Sequence, residues 1–291
     1  MRIAIAALVA ALAASSALAG EPQVISEALF PEGPLMKDGI LYFAEYGGHR
    51  ITTWNGKETK VFWTQDGCGP SAVVELGGNF AVTCYDSGQM AIVSPEGKTV
   101  ELHDKDDAGG PLVGPNDATG DGKGGIYFTT SGPWEAGPIV GRVLHMSADG
   151  KIAEAANDLH YANGVARSAD GSLLYVNESE AGRVITFKIG ADGALTDRRL
   201  FAKLYQLEND PTAYPDGIKL GPDGNLYVGH YNAGRITVLD SGGKIVRRID
   251  LAPPATPNLT FSADGKTIYV MAVDDTSAAP YKGRVLAIPN E

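Results

Sequence analysis

Asn163-Gly-Val-Ala-Arg-Ser-Ala-Asp170-Gly171-Ser-Leu-Leu-Tyr-Val176, continued by Gly182-Arg-Val-Ile-Thr-Phe187 and Asp192-Gly193, reads as three short apolar runs separated by turn residues. An Asp-Gly pair between two such runs is a hairpin signal, because its left-handed backbone matches the twist of the strands it joins. The same succession recurs along the chain. Upstream lie Asp38-Gly39 with Ile40-Leu-Tyr-Phe-Ala44 and His49-Arg-Ile-Thr-Thr-Trp54, then a weaker copy around Gly77-Gly78, then Gly124-Gly125 with Ile126-Tyr-Phe-Thr129 and Arg142-Val-Leu-His-Met146. Downstream come Asp223-Gly224 with Leu226-Tyr-Val-Gly229 and Arg235-Ile-Thr-Val-Leu239, and finally Asp264-Gly265 with Ile268-Tyr-Val270 and Arg284-Val-Leu-Ala-Ile288.

Repeats of four short strands every 40 to 50 residues are the mark of propeller blades. Six copies fit, predicting an all-β, six-bladed β-propeller of four-stranded antiparallel blades over residues 20–291. The sixth copy stops after three strands. Gln23-Val-Ile-Ser-Glu-Ala-Leu29 resembles the outer strands and would complete it, closing the ring and removing exposed sheet edges.

Composition agrees with this. The 291 residues are 44% hydrophobic, and 37 Gly and 17 Pro are spread between apolar runs, which disfavours long helices and disorder. A net charge of −11 repels phosphate backbones and anionic lipid, so neither nucleic acid nor membrane is an expected partner. Met1-Arg2, the apolar Ile3–Ala14 and Ala17-Leu18-Ala19 form a secretory signal over residues 1–19, and that apolar run is shorter than the roughly 20 residues a spanning helix needs. The reading predicts a periplasmic or secreted protein. In such a compartment the only cysteines, Cys68 and Cys84, would form a disulfide or stand as two buried thiols.

Innermost strands line a propeller's axis, so the residues opening each repeat should converge. Aligned, these are Glu32, Ser71, Asn116, Asn163, Asp216 and Asn258. Short Asn and Asp side chains also cap turns, but six polar residues without Lys or Arg form a cluster of oxygen donors. Converging carboxylates take up protons unless a cation sits among them, and hard oxygen donors suit Ca²⁺ best, with Mg²⁺ or Mn²⁺ next; Zn²⁺ is less favoured without His or Cys.

Pro31-Glu32-Gly33-Pro34, Gly114-Pro115-Asn116-Asp117, Ala162-Asn163-Gly164-Val165, Tyr214-Pro215-Asp216-Gly217-Ile218 and Asn258-Leu-Thr-Phe261 stand in an order that resembles the senescence-marker-protein/gluconolactonase/luciferin-regenerating-enzyme family over nearly the whole chain. The resemblance implies one divalent cation held by Glu32, Asn163 and Asp216 with Asn116 close by, hydrolysis of a small lactone or ester, and Asp216 as general base. Sugar-lactonase members often carry an Arg shortly before the residue matching Asn116; here Gly114-Pro115 stands instead.

Folding each inner hairpin about its turn nominates Glu45, Tyr85, Glu178, His230 and Tyr231 for substrate contact. The excursion Ser131–Pro138 would be either a lid carrying Trp134 or a long surface loop. Ser71 has no evident His and acid partner for a serine-hydrolase triad. Two other readings use the same axis: a non-catalytic ligand-binding propeller with a structural ion, and a metal-dependent phosphotriesterase.

Overall fold

The computed structural model describes residues 21–134, 139–212 and 214–291. The expected secretory signal lies outside them. The described residues are almost entirely β, with one short α-helix among them at Leu204–Leu207. Among the described residues no helix is long and apolar enough to cross a membrane.

Four separate antiparallel four-stranded sheets begin at Pro31, Pro70, Pro115 and Ala162. An eight-stranded sheet holds the remainder: Pro215–Leu220, Leu226–His230, Arg235–Leu239 and Ile245–Asp250 form one meander, and Ala255–Phe261, Thr267–Val273 and Lys282–Pro289 form most of another. A single residue pair, His230 with Thr256, joins the two. Gln23–Leu29 pairs antiparallel with Lys282–Pro289, from Gln23 opposite Ala287 to Leu29 opposite Lys282, so the N-terminal strand completes the last meander. The first strand of each meander touches the first strand of the next, and Ala255–Phe261 returns to Pro31–Lys37.

Alternation along the strands builds the core. In the second strand of the fourth meander, Leu174 and Val176 face back towards Tyr127 and Val143, while Tyr175 between them faces forward towards Ile218 and Val228. Period-two side chains thus serve the cores on both faces of a sheet. A separate apolar cluster fills each gap between successive meanders, the last joining Met271 and Val285 to Leu41 and Phe43. Cys68 and Cys84 are bonded, with Cα atoms 4.6 Å apart, inside the cluster between the first and second sheets.

Each first hairpin slips register near its axial residue: between Glu32 and Leu35, Pro70 and Ala72, Pro115 and Ala118, Ala162 and Val165, Pro215 and Ile218, and Ala255 and Asn258. A bulge re-aims a side chain and frees a carbonyl from the ladder. That recurring slip positions the site.

Candidate functional site

Carbonyls released at the bulges are caught by the neighbouring sheet. Thr83 Oγ1 donates to Asn116 O at 2.6 Å, Thr129 Oγ1 to Asn163 O at 2.7 Å and Asn177 Nδ2 to Asp216 O at 2.6 Å. One residue back, Ser131 Oγ and Ser179 Oγ hold Ala162 O and Pro215 O, each at 2.6 Å. Buried carbonyls need partners, and these bonds fix the backbone that carries each axial side chain.

The axial side chains meet under a pocket of about 240 Å³. Glu32, Ser71, Asn116, Asn163 and Asp216 form its floor, and all are buried. Four of these are the ligands expected from the sequence. Asn258 is not on the lining; its Nδ2 donates to Glu32 Oε2 at 3.0 Å from behind. Ser71 Oγ is engaged with Thr83 Oγ1 and the carbonyls of Pro115 and Asn116, all within 3.0 Å, as a structural hydroxyl.

Burial, followed by the Asp216 charge, holds the Glu32 carboxyl well above the ordinary carboxylate range, against the hydrogen bonds from Gly33 N–H and Asn258. Burial likewise pushes Asp216 up to about 8, with Asp117 adding to the rise and a hydrogen bond from Asn163 opposing it. Asp117 has its own cation, Lys219, whose Nζ lies 3.2 Å from Oδ2. No Lys, Arg or His stands among the described lining residues. Two buried carboxylates that repel each other beside two carboxamides form a donor set suited to a hard divalent cation. Among the described residues no group of three or more His, Cys, Asp or Glu is placed to hold a metal, so such a cation would depend on the carboxamides as well.

Eight of the fifteen lining residues are aromatic, and they make the wall. Phe30, Tyr161 and Tyr214 each stand two positions before a floor residue, and Tyr46, Tyr85 and Tyr231 each follow the second strand of a meander directly. Backbone bonds pair these two positions, with Tyr46 N donating to Phe30 O at 3.0 Å, Tyr231 N to Tyr214 O at 3.0 Å and Tyr85 N to Gly69 O at 2.9 Å. Trp134 covers the same wall, its ring 4.5 Å from Tyr161 and 5.3 Å from Tyr214. Residues 135–138 of the expected lid lie outside the described residues. The Tyr85 and Tyr161 hydroxyls bond each other at 2.7 Å, and burial raises both phenols above their usual range, which keeps them protonated.

Of the five residues nominated for substrate contact, Tyr85 and Tyr231 line the pocket, whereas Glu45, Glu178 and His230 do not. Successive strand residues face opposite sides, so each of these three points away from the pocket that its neighbour Tyr46, Ser179 or Tyr231 reaches. Glu45 bonds Arg50 and the Leu29 N–H, the latter at 3.0 Å. Glu178 bonds Arg183, Arg198 and the His160 N–H. His230 Nε2 meets Thr237 Oγ1 at 2.9 Å, and that hydroxyl donates to Glu208. Beyond Tyr85, Tyr231 and Trp134, the aromatic wall was missed. Its signal was available in the repeat alignment, in the two columns flanking the floor residues.

The sequence profile described as the SMP-30/Gluconolactonase/LRE-like region matches residues 30–274, which takes in every floor residue and most of the wall. The chain belongs to the SMP-30/gluconolactonase/LRE-like family. Within reach of this family is the lactonase drp35 of Staphylococcus haemolyticus, 30% identical over 135 residues, 46% of this chain and 41% of that one. The chain therefore spans about two-fifths of the length of that curated relative. A gluconolactonase from Xanthomonas campestris superposes with a TM-score of 0.74 at 23% identity, covering 90% of this chain and 86% of that one. Regucalcin from Agrobacterium tumefaciens, described as a calcium-binding protein, gives 0.73 at 16% identity over 92% and 93%. At these identities the structural likenesses speak for the family's fold.

Proposed function

We propose that this chain is a divalent-cation-dependent hydrolase of lactones or related esters, working in the aromatic-walled pocket of a six-bladed propeller in which the eight-stranded sheet counts as two blades. The observation that carries the reading is the convergence of Glu32, Asn116, Asn163 and Asp216, from four separate sheets, on one pocket floor whose lining offers no cationic side chain. Membership of a family that includes a gluconolactonase, and similarity to a lactonase, support it.

Glu32, Asn163 and Asp216, with Asn116 beside them, would hold the ion, and Ca²⁺ fits their oxygen donors and the calcium-binding relative best. Once bound, a divalent cation supplies Lewis-acid polarisation of a carbonyl and a lower pKa for water. Asp216 takes a proton from the attacking water as the new C–O bond forms. It returns that proton to the departing ring oxygen as the lactone C–O bond breaks, so no covalent enzyme intermediate is needed. Asn163, hydrogen-bonded to Asp216, orients that carboxylate for both transfers. Tyr85 and Tyr231 contact the substrate from the wall, which excludes bulk water and strengthens the electrostatics on the floor.

We also read residues 1–19 as a secretory signal and residues 20–291 as the exported propeller, a placement supported by the Cys68–Cys84 disulfide. The hydrolytic reading is tested by assaying a lactone panel after chelation and after adding back single metals. Hydrolysis should vanish with the chelator and return with Ca²⁺ or another hard cation, and Asp216→Ala should lower kcat by roughly 10²–10⁴-fold. An unchanged rate in chelator would sink the mechanism.

A further inference from the structure

The wall of this pocket is dominated by rings. Beyond the floor its hydrogen-bonding groups are the tyrosine hydroxyls, Ser179 and Thr276, and several of these already have protein partners, Ser179 with Pro215 O and Tyr231 with Thr276 among them. Tyr46 Oη donates to Asp86 at 2.8 Å, and the Tyr85 and Tyr161 hydroxyls bond each other. A substrate bearing several hydroxyls would find few of these groups free and would bury the rest of its hydroxyls against ring faces. A substrate bearing a carboxylate or phosphate would find no cationic side chain among the described lining residues.

The position before Pro115 carries the same message in the backbone. Gly114 has φ +61°, and a Cβ there would lie 2.9 Å from Cε2 of Tyr85 and 3.0 Å from the Gly132 carbonyl. A long polar side chain is thereby excluded from this point on the rim, and Tyr85 occupies the space. Charge on the floor balances as well. With a divalent cation in place Glu32 and Asp216 are neutralised, and Asp117 is matched by Lys219. The bound pocket then presents a polar, electrically balanced floor under an apolar collar.

Resting on the lactonase reading above, we propose that the substrate is a neutral lactone or ester whose carbonyl sits on the floor and whose aryl or alkyl substituent fills the collar formed by Phe30, Tyr46, Tyr161, Tyr231 and Trp134. Phe30 lies 5.4 Å from Tyr46 and 6.4 Å from Tyr231 between ring centroids, and Trp134 lies 6.3 Å from Tyr231, so the rings form a continuous belt. Rings at such spacings accept an apolar group edge-on or face-on without rearrangement. Trp134 is 46% exposed, which makes it the collar residue whose removal disturbs the fold least.

The test compares δ-valerolactone, its δ-phenyl derivative, its δ-carboxyl derivative and δ-gluconolactone with the cation-loaded protein and with Trp134→Ala. The δ-phenyl lactone should have the highest kcat/KM, exceeding δ-gluconolactone by about 100-fold, and Trp134→Ala should lower it by about 10-fold, mostly through KM, with a smaller loss on the unsubstituted ring. A preference for δ-gluconolactone or the anionic lactone, or an equal loss on all substrates in Trp134→Ala, overturns the proposal. Binding of the non-hydrolysable δ-phenyl lactam, followed by calorimetry beside its unsubstituted parent, separates the two readings. If no lactone is hydrolysed with any cation, the hydrolytic function falls, and tighter binding of the phenyl lactam that weakens in Trp134→Ala still upholds the collar. Equal binding of the two lactams overturns it.

Discussion

Asp216 and Glu32 are carboxylates held where burial works against their charge. Burial raises both folded-state pKa values, with the Asp216 charge adding to the rise at Glu32 and the Asp117 charge to that at Asp216, which reaches about 8. A raised carboxylate binds its proton more tightly folded than unfolded. Without a cation, the native protein therefore holds more protons than the unfolded chain between pH near 4 and about 8, and its stability falls as pH rises through that window. On the proposed function, a bound divalent cation would take the place of those protons. The gain in Tm on adding Ca²⁺ to chelated protein should thus be larger at pH 8 than at pH 5, by several degrees, and Asp216→Asn should flatten that difference; scanning fluorimetry at the two pH values decides it. These floor residues were legible in the sequence because they recur in one column of the repeat and no hydrophobic role competes for them. Glu45, Glu178 and His230, nominated for substrate contact, lie off the pocket lining, each one position from a residue on it. Near a strand end a single step in sequence exchanges pocket for interior, and the hairpin bulges that set the phase leave no mark in composition.

At the level of strands, the Arg at or near the start of the third strand of five meanders finds a carboxylate each time. Arg50 pairs with Glu45, Arg142 with Asp106, Arg183 with Glu178, Arg235 with Glu208 and Arg284 with Asp274. The second meander has Gln89 there, bonded to Gln65 at 3.2 Å. The recurring Gly-Arg-Val/Ile was visible in the sequence, but its partners were not, since Asp106 and Glu208 come from loops far along the chain. Glu45 is nearly fully buried, and besides Arg50 and Thr52 it holds the Leu29 N–H. Arg50→Ala would leave that charge short of its cation and loosen the strand it anchors. We expect a loss of roughly 2–4 kcal/mol in urea unfolding, with an m-value unchanged, and a smaller loss for the double variant Arg50→Ala with Glu45→Gln. A larger loss in the double variant would show that the pair is not what Glu45 contributes.

For the molecule as a whole, stability depends on a closure made by residues from opposite ends of the chain. Gln23–Leu29 covers the edge of Lys282–Pro289 and brings Ala28 into the cluster with Met271, Val285 and Phe43. Removing residues 21–29 would uncover a row of unpaired backbone groups and part of that cluster. The truncated protein should melt at least about 5 °C lower and associate in light scattering, whereas the full chain should not gain mass with concentration through this edge. A monodisperse truncated form with an unchanged Tm would mean the seam carries no weight. This closure was readable beforehand because the sixth repeat lacks its last strand and the leading segment has an outer strand's pattern.

Pairing at that seam sets the first and last strands side by side, Gln23 opposite Ala287, so the ring has no intrinsic starting point. A short linker from Glu291 back to Glu21, with new ends opened at an exposed outer turn such as Asn55-Gly56, would give a circularly permuted chain of the same shape. Because Glu32, Asn116, Asn163 and Asp216 each come from a different sheet, every one of them would return to its place around the axis in the permuted protein.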